Sequence, residues 1–140
     1  MDFAIDHELR MLRDAVRRFV QEHLMPLEAR YANEPDIPDD IRQRLQAKAM
    51  ELGFWCFDLP QDVGGAGVGY LGKCLVFEEL ARCNVPSFRA QTVLTPYLGP
   101  VLFHCSGQQR EDYLLPVVRG EKRTCFALTE SNGGSDPSGM

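Results

Sequence analysis

The stretch Cys125-Phe126-Ala127-Leu128-Thr129-Glu130-Ser131-Asn132-Gly133-Gly134-Ser135-Asp136 divides into two halves of different chemistry. The first half reads as a strand. Thr124, Phe126 and Leu128 face one way and Cys125, Ala127 and Thr129 the other, with Phe, Thr and Leu suited to a pleated surface. The second half, Ser131 to Asp136, consists of residues that tolerate positive φ or hydrogen-bond their own backbone. A strand that feeds such a turn brings backbone N–H groups and short hydroxyls close to whatever lies above it. The turn can form a nest that accepts an anion. On pattern alone, a hairpin loop on a globular domain is the favoured reading, because Gly/Ser turns are common and mostly structural.

Working outward, the 140 residues amount to one domain's worth of chain. A hydrophobic content of 44% with 25% charged residues places it among ordinary soluble globular proteins. The net charge of −5 argues against a nucleic-acid binder, which carries a basic patch. No apolar run approaches the roughly 20 residues needed to span a bilayer. The acidic opening (Asp2, Asp6, Glu8) reads as neither a secretory signal nor a transit peptide. Cys56, Cys74, Cys83, Cys105 and Cys125 are widely spaced and form no CxxC pair, so neither zinc nor a disulfide framework is indicated. A reducing, cytoplasmic setting is the default expectation.

Upstream of the strand the pattern is helical. From about Asp6 to Tyr31, Leu9, Leu12, Val16, Phe19, Val20 and Leu24 recur at three- and four-residue steps, with Arg10, Arg13, Arg17 and Glu22 on the other face. Pro26 should end or kink this helix. Pro38, followed by Asp39 and Asp40, opens a second helix with Ile41, Leu45, Ala49 and Leu52 as its stripe and Gly53 past its end. Phe54 to Pro60 reads as an extended apolar connector. In the next loop, Gly67, Gly69 and Gly72 match GxGxxG, but no acidic residue stands about 20 positions on and no βαβ pattern surrounds it, so a flexible interhelix loop is the better reading. A third helix from about Tyr70 to Arg82 carries Leu71, Leu75, Val76, Leu80 and Ala81, widened by Cys74 and Phe77. Its adjacent Glu78 and Glu79 point about 100° apart, which favours solvated or salt-bridged carboxylates over an acid–base pair. Pro96 and Pro100 break the apolar stretch from Phe88 to Phe103 into a helix pair, and a last helix precedes Gly120.

Several stretches resemble the acyl-CoA dehydrogenase family. Ala127-Leu128-Thr129-Glu130-x-x-x-Gly134-Ser135-Asp136, after Arg119-Gly120-Glu121, is similar to its flavin-binding segment. Leu59-Pro60-x-x-x-Gly64-Gly65-x-Gly67, Phe77-Glu78-Glu79-Leu80-Ala81-Arg82 and the Gln-rich Gly107 to Pro116 resemble further segments of the family in the same order. The resemblance implies an all-α orthogonal or up-down bundle of about five to six helices with a short C-terminal β segment. It implies a division into a helical domain, 1–121, and the first strand and flavin-binding turn of a β domain, 122–140. It implies FAD held by Phe126, Ala127, Leu128, Thr129, Gly134 and Ser135, with Ser135 also near the acyl-CoA substrate. In the family, the positions matching Leu128 and Thr129 hydrogen-bond the isoalloxazine ring. Ser131 stands where Pro is usual, and Asn132-Gly133 where Gly-Ala or Asp-Ala is usual, which loosens the turn.

The implied reaction is α,β-dehydrogenation of an acyl-CoA thioester, with a glutamate base that lies in none of these residues. No catalytic residue and no metal ligand is therefore assigned to this stretch of chain. The 140 residues read as the N-terminal piece of a longer enzyme. The implied partners are electron-transfer flavoprotein or another electron acceptor and further copies of the same chain, as a dimer or tetramer. The alternatives are a non-catalytic helical binding or assembly module, or an acyl-CoA oxidase or flavin monooxygenase built on the same fold. Residues 1–140 expressed alone are expected to hold no stoichiometric FAD, for want of the rest of the site. The visible spectrum of the purified fragment checks this, and a yellow preparation would contradict it.

Overall fold

The computed structural model describes residues 4–85, 92–131 and 138. The chain falls into two compact units, Met1–Pro96 and Tyr97–Met140. Both are helical, with five α-helices among the described residues.

In the first unit, α1 (His7–Phe19) starts where Asp6 accepts a hydrogen bond from the Leu9 N–H at 2.9 Å. Glu8 in its first turn and Arg17 and Arg18 in its last complement the helix dipole. The helix then widens into a π turn, Val20–Leu24, and tightens into a 3-10 turn, Met25–Leu27, before α2 (Glu28–Tyr31). Pro26 accounts for this sequence of turns. It has no N–H to give and its ring cannot sit against the carbonyl one turn back. The expected kink is therefore spread over two irregular turns. Pro38 caps α3 (Asp39–Glu51), and Gly53 closes it at φ +77°. Within α3, Arg42 folds back onto Asp39 and is buried there.

Helix α4 (Gly69–Leu80) packs along α1. Gly72 lets them approach closely, since a Cβ there would lie 3.1 Å from Leu9 Cδ2 and 2.8 Å from Val68 Cβ. The buried face of α4 is Gly72, Leu75, Val76, Glu79 and Leu80. Leu71, Cys74 and Ala81, which the periodicity placed on or beside the apolar stripe, are exposed. The same holds for Leu52 at the end of α3. The core joins Val16, Phe19, Val20 and Leu24 to Leu45 and Ala49 of α3, Val76 and Leu80 of α4, and Phe54 and Phe57 of the connector. Each large side chain so buried contributes about 1.5–3 kcal/mol.

The connector is turned rather than extended. The Phe57 and Leu59 N–H groups donate to the Phe54 and Cys56 carbonyls at 3.2 and 3.1 Å, and Cys56 takes φ +58°. This lets Phe54, Cys56, Phe57 and Leu59 all point inward. The glycine-rich loop is pinned to it, not free. The N–H groups of Gly65, Ala66, Gly67 and Val68 donate to Pro60, Cys56, Leu59 and Phe57 carbonyls. A Cβ at Gly65 would stand 2.1 Å from the Leu59 oxygen, so glycine there serves close backbone approach. Asp58 holds the far side of the connector, accepting from the Thr95 hydroxyl at 2.6 Å and pairing with Lys73 at 2.8 Å.

In the second unit the breaks fall at the prolines. Of the apolar stretch expected to form a broken helix pair, Phe88 lies outside the described residues and Pro96 closes the first unit; residues 97–99 are not helical, and Pro100 opens a 3-10 turn, Pro100–His104. A second π turn, Arg110–Leu114, runs directly into α5 (Leu115–Val118), whose second residue is Pro116. The Asp112 carbonyl, one turn before Pro116, instead accepts from Lys122 Nζ at 2.9 Å. Leu114, Pro116, Val117 and Val118 are buried.

The strongest cross-link between helices is polar. Glu79 retains only 2% side-chain exposure, and Arg17 of α1 meets it with two hydrogen bonds, at 3.0 and 2.7 Å. The Arg17 hydrogen bonds hold the Glu79 carboxyl below its ordinary range, against the opposing effect of burial. Arg17→Met should therefore be more destabilising than Arg17→Met combined with Glu79→Leu, because the single change strands a carboxylate in the core. Thermal midpoints of the three proteins check this order. A depressed folded-state pKa means the pair stabilises fully above about pH 4.5 and loses its contribution as pH falls below that value. The acid limb of the stability curve should flatten in Glu79→Gln.

Candidate functional site

The C-terminus of α5 delivers the candidate segment. Gly120 takes φ +74°, and the Glu121 and Lys122 N–H groups both donate to the Pro116 carbonyl, at 2.8 and 3.1 Å. This double closure turns the chain sharply out of the helix. The Thr124 hydroxyl then donates to the carbonyl of Tyr97. From residue 123 to 129 the backbone enters neither helix nor ladder, and Glu130 makes a single bridge. The expected strand therefore forms no ladder along its length: among the described residues no second strand lies alongside.

Phe126, Ala127, Leu128 and Thr129 all lie in this run and all are exposed, Phe126 by 69% and Leu128 by 40%. Gly134 and Ser135, with Asn132, Gly133 and Asp136, lie outside the described residues. A backbone outside helix and ladder can turn its N–H and C=O groups to the edge of a flat polar ring, and two exposed apolar side chains can cover the ring face. The residues present fit a group of that kind.

The acidic residues of α4 fall apart in role. Glu78 is exposed, whereas Glu79 is committed to Arg17 and lies 3.7 Å from Arg82. His7 is exposed, and His23 stacks edge-on against Phe19 at 5.1 Å. Among the described residues no group of three or more His, Cys, Asp or Glu side chains could hold a metal ion, and no helix is long and apolar enough to cross a membrane. Sequence reasoning missed the Thr124–Tyr97 and Lys122–Asp112 bonds and the choice of Arg17 as partner of Glu79. The one available signal was for the last: a helical face of apolar residues that includes a carboxylate needs a cation opposite it.

Residues 6–121 match the domain family described as acyl-CoA dehydrogenase, N-terminal domain. The chain belongs to the acyl-CoA dehydrogenase family. It is 36% identical over 128 residues to the mitochondrial short-chain specific acyl-CoA dehydrogenase of Rattus norvegicus, covering 90% of this chain and 30% of that one. It is 30% identical over 132 residues to a subunit of the caffeyl-CoA reductase–Etf complex of Acetobacterium woodii, covering 94% and 34%. In a solved structure described as the electron transferring flavoprotein of Acidaminococcus fermentans, a chain superposes with TM-score 0.70 at 28% identity, over 99% of this chain and 36% of that one. The chain thus spans about a third of the length of the relatives it matches. Dehydrogenases and reductases both occur among them.

Two thiols in this acyl-CoA dehydrogenase family chain are withdrawn from chemistry. Burial, and then the charge of Asp58, pushes the Cys56 thiol up to about 12, and burial also raises Cys83. Cys74 and Cys125 are exposed. Since the thiolate is the reactive form, a maleimide at neutral pH should label Cys74 and Cys125 within minutes and Cys56 and Cys83 only after unfolding. Peptide mapping of the labelled protein checks this order.

Proposed function

We propose that this chain is the N-terminal part of an FAD-dependent enzyme that carries out α,β-dehydrogenation of acyl-CoA thioesters. The observation that carries the reading is the exposed run Phe126–Thr129, outside helix and ladder, which comes directly after the family's helical domain. In this reading residues 1–121 are scaffold, and 122–140 open the domain that holds the cofactor. Phe126, Ala127, Leu128 and Thr129 lie along the flavin, and Leu128 and Thr129 hold the isoalloxazine ring by backbone and side-chain hydrogen bonds. Gly134 also binds the cofactor, and Ser135 lies where the FAD phosphate and the acyl-CoA both approach. FAD, when bound, supplies the two-electron acceptor that takes hydride from the β carbon as the α proton leaves to a base.

The chain's own residues position and do not transfer protons. Glu79 cannot serve as the base while Arg17 holds it ionised and buried. The base is assigned to another part of the whole protein. Electron-transfer flavoprotein is the proposed acceptor, supported by relatives whose descriptions name electron-transferring flavoproteins. The whole protein is proposed to work in the cytoplasm as a homodimer or homotetramer.

The test is anaerobic flavin reduction in the full-length protein against acyl-CoAs of different length and branching. Bleaching of the bound flavin by at least one of them is expected. Bound flavin that no acyl-CoA bleaches would favour a flavin monooxygenase, and absence of flavin would favour a binding or assembly module.

A further inference from the structure

Beyond Thr124, residues 125–131 are all exposed, whereas Thr124 itself is partly buried. Its hydroxyl donates to the Tyr97 carbonyl, a group 27 residues earlier in a stretch, 96–99, that is not helical. The preceding closure, Lys122 to Asp112 and Pro116, fixes where the chain leaves α5 but not its rotation about its own axis. From 123 to 129 the backbone lies in neither helix nor ladder, so no neighbouring strand among the described residues fixes how it turns. One residue fixed at the base of the run therefore limits which groups of Phe126, Ala127, Leu128 and Thr129 it can present together.

We propose that Thr124 is a positioning residue for the flavin-binding run. Its hydroxyl locks the run against Tyr97, so that the ring-facing backbone groups are ordered before the cofactor arrives. This rests on the reading given under Proposed function. A binding segment ordered in advance spares the ligand the entropy of ordering it. Valine, of similar shape, keeps the packing and removes the bond, and serine keeps the bond.

The experiment uses full-length protein stripped of flavin and titrated with FAD, followed by quenching of flavin fluorescence and by the visible spectrum of the bound cofactor. Thr124→Val should bind FAD roughly three- to tenfold more weakly, the size of one lost hydrogen bond, with an altered flavin absorption envelope. Its flavin-free thermal midpoint should match wild type. Thr124→Ser should restore both affinity and spectrum. Wild-type affinity and spectrum in Thr124→Val would overturn the inference alone, as would equal weakening in Thr124→Ser. Wild-type protein that takes up no FAD would overturn the functional reading and this inference with it.

Discussion

A carboxylate with almost no access to water has to be neutralised where it stands, and Glu79 is neutralised by Arg17. The demand reaches across the first unit. Arg17 must leave α1 on the side that faces α4, which fixes the rotation of α1 and with it the inward placement of Val16, Phe19 and Val20. On α4 the same demand places Gly72, Leu75, Val76 and Leu80 inside and turns Leu71 and Cys74 out. Hydrophobic burial supplies most of the stabilisation but is tolerant of small rotations. A bidentate guanidinium–carboxylate pair is not, so it selects one register among several that would bury similar area.

Proline imposes the second constraint. Pro26 and Pro116 each sit just past a widened turn, Val20–Leu24 and Arg110–Leu114. At Pro116 the carbonyl that no N–H of that residue can meet is taken up by Lys122, a residue already on its way to the exposed run. The helix defect and the exit of the chain are one device: the group that the proline leaves unsatisfied becomes the anchor for the segment leading out of the helix.

Much of this was legible in the sequence. The helices of α1, α3 and α4, the closing of α3 at Gly53, and the breaks at Pro26, Pro96 and Pro100 all come from local pattern, because prolines and glycines act within one or two turns. The family assignment rested on several motifs in order, each weak alone. The burial of Glu79 was not legible, because its partner is 62 residues away and periodicity sees only one helix at a time. The turned connector at Cys56 escaped for a different reason. A left-handed cysteine has no local signature, and besides the nearby Leu59 its backbone is held by Leu94 and Ala66, which lie outside the connector. At the candidate site, Phe126 to Thr129 were read as extended from alternation alone, but the ladder expected of a strand depends on a neighbour that alternation cannot supply.

The widened turn at Arg110–Leu114 also acts as a phase setter. An α-helix advances about 100° per residue, so one amino acid more or fewer in that turn rotates everything after it by the same angle. At the present count the face formed by Leu114, Val117 and Val118 is buried. Loss of a single residue there would swing these side chains toward solvent and carry Gly120, Lys122 and Thr124 round with them. The length of one irregular turn thereby decides the direction in which the chain leaves its last helix.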